Sequence, residues 1–140
     1  MRRNILSVFA LAGLSFAGGS ALASKPQRRI DKRLLGTWKS DKERTIERWR
    51  YERPLDSVQR EKFESIFGKL VLRVTETHYY GTFDEDKFSG QYTVLASDER
   101  SVCISHKLAG TQELKQYFFE GNHMYVLVGY NIEFFKRVEA

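Results

Sequence analysis

Ser101-Val102-Cys103-Ile104-Ser105-His106-Lys107-Leu108 alternates cleanly, with Val102, Ile104 and Leu108 on one face and Ser101, Cys103, Ser105 and Lys107 on the other. A period of two marks a strand with one face on a core. Turn residues bound it on both sides, Ser97-Asp98-Glu99-Arg100 before and Gly110-Thr111 after. Upstream, Gly90 to Ala96 alternates around Tyr92 and Val94, and Asp84-Glu85-Asp86-Lys87 reads as a turn. Leu70-Val71-Leu72-Arg73-Val74-Thr75 is rich in β-branched residues, and His78-Tyr79-Tyr80 continues it past a bend. Downstream, Gln112 to Phe119, Glu120-Gly121-Asn122 and Met124 to Val128 make a hairpin, and Gly129-Tyr130-Asn131 leads into Ile132 to Val138. Short strands at roughly ten-residue spacing predict a meander that closes as a barrel or a sandwich.

The chain before Gly68 reads differently. Leu34-Leu35-Gly36-Thr37-Trp38-Lys39-Ser40 is a short strand. Ser40 stands three residues before Glu43, the spacing of a capping box, which predicts a helix from Asp41 to about Glu52 with Ile46 and Trp49 on one face. A strand over Thr45 to Tyr51 is the competing reading, because Trp49 and Tyr51 also alternate. Pro54 breaks the chain. Asp56 or Ser57 can then cap a second helix through about Phe67, with Val58, Phe63, Ile66 and Phe67 as its apolar face and Gly68 as its stop.

The amino terminus predicts export. Met1-Arg2-Arg3-Asn4 is a short positive segment, Ile5 to Ala17 is apolar, and Ala21-Leu22-Ala23 is the small-x-small pattern of a cleavage site, so residues 1–23 read as a signal peptide. The apolar run is shorter than the ~20 residues of a membrane-spanning helix. Ser24 rather than a cysteine stands directly after the expected cut, and no other long apolar run occurs, so no lipid anchor and no membrane span after cleavage are expected. Residues 24–33 are polar and basic and read as a flexible leader; residues 34–140 form one domain. The chain carries 23 basic and 18 acidic residues, but Arg2 and Arg3 fall in the signal segment and the other positives are interspersed with acids, as in Asp41-Lys42-Glu43-Arg44. That pattern is a solvated face, not a nucleic-acid stripe.

Chemistry-bearing motifs are few. His78, His106 and His123 sit in no metal-ligand spacing. There is no Gly-x-Ser-x-Gly elbow and no phosphate loop. The lone Cys103 forms no internal disulfide, and it points away from His106 on a regular strand, since residues three apart face opposite sides. A non-catalytic protein without metal or cofactor is expected. The compositional excess is aromatic, with Phe118, Phe119, Tyr125, Tyr130, Phe134 and Phe135 crowded in the last strands. Such rings fill a small core or wall an enclosed ligand site. The two readings stay open.

Gly36-Thr37-Trp38 after a charged leader resembles the Gly-x-Trp signature of the calycin group, the lipocalins and fatty-acid-binding proteins. Gly-Thr-Trp-Lys-Ser-Asp at residues 36–41 and Phe67-Gly68-Lys69-Leu70 are similar to small exported bacterial lipocalin-like proteins. The resemblance implies a mainly β fold: an antiparallel up-and-down barrel of about eight strands with a short helix pair after the first strand. It implies that Trp38 plugs one end under a basic residue of the last strand, Arg137 or in reserve Lys136, and that the helix pair lids the mouth. Gly36, Trp38 and Arg137 are then structural. The candidate ligand-binding residues are Trp49, Phe63, Arg73, Tyr79, Tyr92, Tyr117, Phe119 and Tyr125. The expected partner of this periplasmic or secreted monomer is a small apolar or amphiphilic molecule. The alternative is a filled barrel that binds an envelope protein through Trp49 and Tyr51 beside Arg48 and Arg50.

Overall fold

The computed structural model describes residues 28–138, with the side chain of Leu108 left out. The signal peptide expected over residues 1–23 and the first part of the leader lie outside the described residues. The elements are β1 (Gly36–Ser40), α1 (Lys42–Glu47), α2 (Ser57–Glu64), β2 (Val71–Val74), β3 (His78–Phe83), β4 (Asp86–Ser97), β5 (Ser101–Leu108), β6 (Thr111–Glu120), β7 (His123–Val128) and β8 (Asn131–Val138). The eight strands follow one another in sequence order around a closed antiparallel barrel. Closure comes from β1 pairing with β8, where Thr37 to Ser40 run against Val138 to Phe135. No helix among the described residues is long and apolar enough to cross a membrane.

The alternation of each strand fixes what is inside. Trp38, Leu72, Val74, Tyr92, Val94, Val102, Ile104, Tyr117, Met124, Val126 and Phe135 form one buried cluster with Leu34. Two inward glycines make room for rings. A Cβ on Gly81 would collide with the Phe88 ring, and one on Gly90 would sit 2.7 Å from the Tyr79 hydroxyl. The cross-strand pairs Gly81–Phe88 and Tyr79–Gly90 thus let an aromatic ring lie over bare backbone.

One end of the barrel is sealed around Trp38. Its indole is 1% exposed and donates from Nε1 to the Leu34 carbonyl at 2.9 Å. The Arg137 guanidinium lies 4.2 Å from the Trp38 ring and donates to the carbonyls of Leu35 and Arg33 at 2.6 and 2.8 Å. Gly36 is needed beneath it, because a Cβ there would meet Arg137 Nη1 at 2.6 Å and the backbone has φ +122°. Residues at the end of the expected leader also belong to this seal. Arg33 pairs with Asp31 at 2.6 Å, donates to the carbonyls of Glu99 and Ser101, and covers Phe119 at 4.6 Å. The Arg33 hydrogen bond holds the Asp31 carboxyl below the ordinary carboxylate range.

Three local expectations change. First, His78-Tyr79-Tyr80 does not continue β2. Residues 75–77 turn the chain back, held by Thr75 N donating to His78 O at 2.9 Å, and Val74 pairs with Tyr79. Second, α1 is half the expected length and Asp41 caps it, its carboxylate accepting from Arg44 N at 3.1 Å. Ser40 cannot cap because it stays in β1, where its hydroxyl accepts from Gly68 N and meets Glu133. Third, α2 stops at Glu64; Asp56 and Gln59 form its capping box, and Val58 and Ile66 are exposed. The stripe expected from sequence splits: Phe63 and Phe67 turn inward and the other two do not.

The first helix flanks the strand that β1 abandons. Asp41 N donates to Phe134 O at 2.8 Å, and the fully buried Thr45 takes Phe134 N–H on its hydroxyl at 2.9 Å. Arg50 N and O bond the Asn131 side-chain amide. Arg44 and Arg48 stack on the outward Phe134 ring. So α1 and residues 48–50 act as the edge partner of upper β8. Replacing Thr45 by the isosteric Val should leave Phe134 N–H buried without an acceptor and cost about 1–3 kcal/mol. Thr45→Ser, which keeps the acceptor, should cost less; urea denaturation midpoints compare the two.

Candidate functional site

Inside the barrel lies a cavity of about 210 Å3. Its walls near the sealed end are apolar: Leu34, Leu72, Val74, Tyr92 and Ile104. Toward the opposite end, where the β3–β4, β5–β6 and β7–β8 turns sit, Phe88, His106, Lys115 and Glu133 line it, with Tyr117 on the wall of β6. The cavity is therefore mainly apolar, with a few polar groups on its walls. That is the arrangement in which a few polar groups orient a mainly apolar guest.

The polar groups differ in how well they are partnered. Tyr92 donates its hydroxyl to Thr75 O at 2.5 Å, beneath the cavity. Tyr79 donates to Lys107 O at 3.1 Å, and its oxygen lies 3.3 Å from His106 Nδ1. Burial, with the Lys115 charge adding to it, lowers the His106 pKa, so the ring is mainly neutral at pH 7. Burial also pushes the Tyr117 phenol well up, so it stays protonated. Glu133 has one side-chain bond, accepting from the Ser40 hydroxyl at 3.2 Å. Burial raises its carboxyl above the ordinary 4.5, only partly offset by Ser40 and Lys115.

The eight candidate residues go to four places. Tyr79, Tyr92 and Tyr117 line the cavity. Phe119 packs below it against Trp38, with ring centroids 6.5 Å apart. Trp49 and Phe63 belong to a separate aromatic cluster: Trp49 lies 5.3 Å from Phe63 and 5.1 Å from Phe67, and Tyr51 sits 5.7 Å from Phe63. Arg73 and Tyr125 are not part of the cavity. Arg73 is on the outer face, its guanidinium 4.1 Å from the Tyr80 ring. Tyr125 pairs with Phe134 and stacks on Phe118 at 5.0 Å, on the face opposite Met124 and Val126. The structural trio Gly36, Trp38 and Arg137 comes together at the sealed end.

The sequence reading missed His106, Lys115, Glu133 and Phe88. Alternation carried the signal for two of them. His106 is two residues beyond the inward Ile104. Glu133 is four residues before Arg137, on the face set by Phe135. The three histidines do not converge: His78 stacks on Tyr80, His123 Nε2 lies 3.1 Å from Asp41, and only His106 reaches the cavity. Among the described residues no three His, Cys, Asp or Glu side chains gather around a point where an ion could be held. Cys103 is buried on the other face of β5 from Ile104, and burial pushes its thiol pKa up, away from the reactive thiolate.

The raised Glu133 carboxyl has a consequence for stability. The native state holds this proton more tightly than the unfolded chain. Stability from this group is full below about pH 4.5 and is lost as pH rises through its raised native value. Glu133→Gln should therefore unfold at a higher temperature than the parent at pH 7, and the gain should vanish at pH 4. Thermal unfolding at the two pH values measures it; an equal gain at both would show that charge burial is not the cause.

No family model matches the chain, and no curated protein or solved structure is significantly similar to it.

Proposed function

We propose that this chain is an exported, monomeric, non-catalytic barrel of lipocalin-like kind that binds a small apolar or amphiphilic molecule in its interior. The mainly apolar cavity with a few polar groups on its walls carries the reading. An apolar cavity of about 150 Å3 accommodates a benzene ring. The cavity here is about 210 Å3, room for one ring with a short polar substituent. Long-chain fatty acids are too large for it without rearrangement. The Arg137–Trp38 stack over Gly36 supports the lipocalin-like assignment. The signal-like residues 1–23 support export to the periplasm or beyond. Cys103 faces away from His106, which supports a binding role over nucleophilic chemistry.

A second reading has its own observation. Leu127, Val128 and Tyr130 are exposed at the β7–β8 tip, Tyr130 at 88%, beside Arg50 held to Asn131. Aromatic and Arg side chains dominate protein interfaces. This tip, not the internally packed Trp49 and Tyr51, is where an envelope protein would dock.

Native mass spectrometry of the protein isolated from its own compartment separates the two. The binding reading expects one retained small molecule, lost from the cavity-filling variant Ile104→Phe. A stoichiometric protein partner with no small molecule, lost from Tyr130→Ser, would replace it with the interface reading.

A further inference from the structure

We propose that the cavity selects a small primary amine bearing one apolar arm, with its ammonium seated among Glu133, Tyr117 and His106. The proposal rests on the reading of the barrel as a ligand-binding protein and adds the chemical class of the ligand.

Three acceptors face the same space. Glu133 Oε2 takes one weak bond from Ser40 at 3.2 Å, and no Oε1 bond to a described residue is formed. The carboxylate has no cation within ion-pairing distance among the described residues, although it is largely buried. A buried carboxylate without a partner is costly, and an entering cation relieves that cost. Tyr117 lines the same cavity and brings a hydroxyl oxygen that can accept. His106 is kept neutral by burial, so it can accept as well as donate. An ammonium group has three N–H donors and no acceptor, so it matches this set. A carboxylate head would instead sit beside Glu133, with Lys115 alone to answer its charge. Lys115 is exposed at the rim and makes no ion pair with Glu133. Beside the polar groups, Leu72, Val74 and Ile104 would hold the apolar arm.

Three probes of the same ring and different heads test this: benzylamine, benzyl alcohol and benzoate, titrated into the protein at pH 7 and followed by amide chemical shifts on β5, β6 and β8. A charge-assisted bond exceeds a neutral one by enough for about a tenfold preference. Benzylamine should bind about tenfold tighter than benzyl alcohol, and benzoate weakest. Glu133→Gln should bring benzylamine down to the level of the alcohol while the alcohol is unchanged. Lys115→Met should leave the amine preference in place. Equal binding of amine and alcohol overturns the amine assignment but not the binding cavity. Tightest binding by benzoate, abolished in Lys115→Met, overturns it in favour of an anionic head. Failure of all three probes to shift any cavity amide overturns the binding reading itself.

Discussion

Barrel closure depends on one short ladder, in which β1 meets β8, and on what Arg137 does at the end of it. Trp38 and Arg137 are cross-strand partners. The guanidinium covers the indole and at the same time donates to two carbonyls of the segment that enters β1. An Arg is suited to this, because its planar fork can stack on a ring and bond in its own plane together. Gly36 must stay bare for that geometry. The Leu34 carbonyl then takes the indole N–H, and Asp31 orients Arg33 over Phe119. The sealed end is a connected set of bonds, so the cavity above it has a floor.

The other end is built on a shortage. β1 leaves the sheet at Ser40, while β8 runs on to Asn131. The backbone groups of upper β8 still need partners. Asp41 and Thr45 provide them at Phe134, while Arg50 holds the Asn131 side chain, which is why α1 lies against the outer side of β8. Ser40 sits at the junction. Its hydroxyl joins Gly68, at the end of the helical segment, to Glu133 inside the barrel. The wall of the cavity and the helical segment therefore share a residue.

Strand order and the sealing residues were legible in the sequence, but the turn at residues 75–77 that parts β2 from β3 was not. Period-two alternation and turn residues are local signals, and the Trp38–Arg137 pairing was what the resemblance carried by Gly36-Thr37-Trp38 implied. The helices were less legible. Residues 41–52 hold too few apolar side chains to decide a helix's length, and the need of Phe134 N–H for an acceptor is a tertiary fact. The cavity was legible only in part. Tyr117 and Tyr125 look alike in sequence, yet one lines the cavity and the other stacks outside on Phe118. Aromatic type does not say which face a residue takes; register does. Counting in twos from Phe135 reaches Glu133, a residue whose charge made it look like surface.

The ladder that closes the barrel joins residues from opposite ends of the folded chain. Thr37 to Ser40 cannot find their partners until Phe135 to Val138 exist. Such a contact is about as non-local as this chain allows, and non-local pairing slows folding. Until the last strand arrives, β1 carries an unpaired edge beside an unfilled apolar interior, the condition in which chains aggregate. A chain that lacks its last strand is thus kept open by its own topology. Only the arrival of Phe135 to Val138 covers that edge.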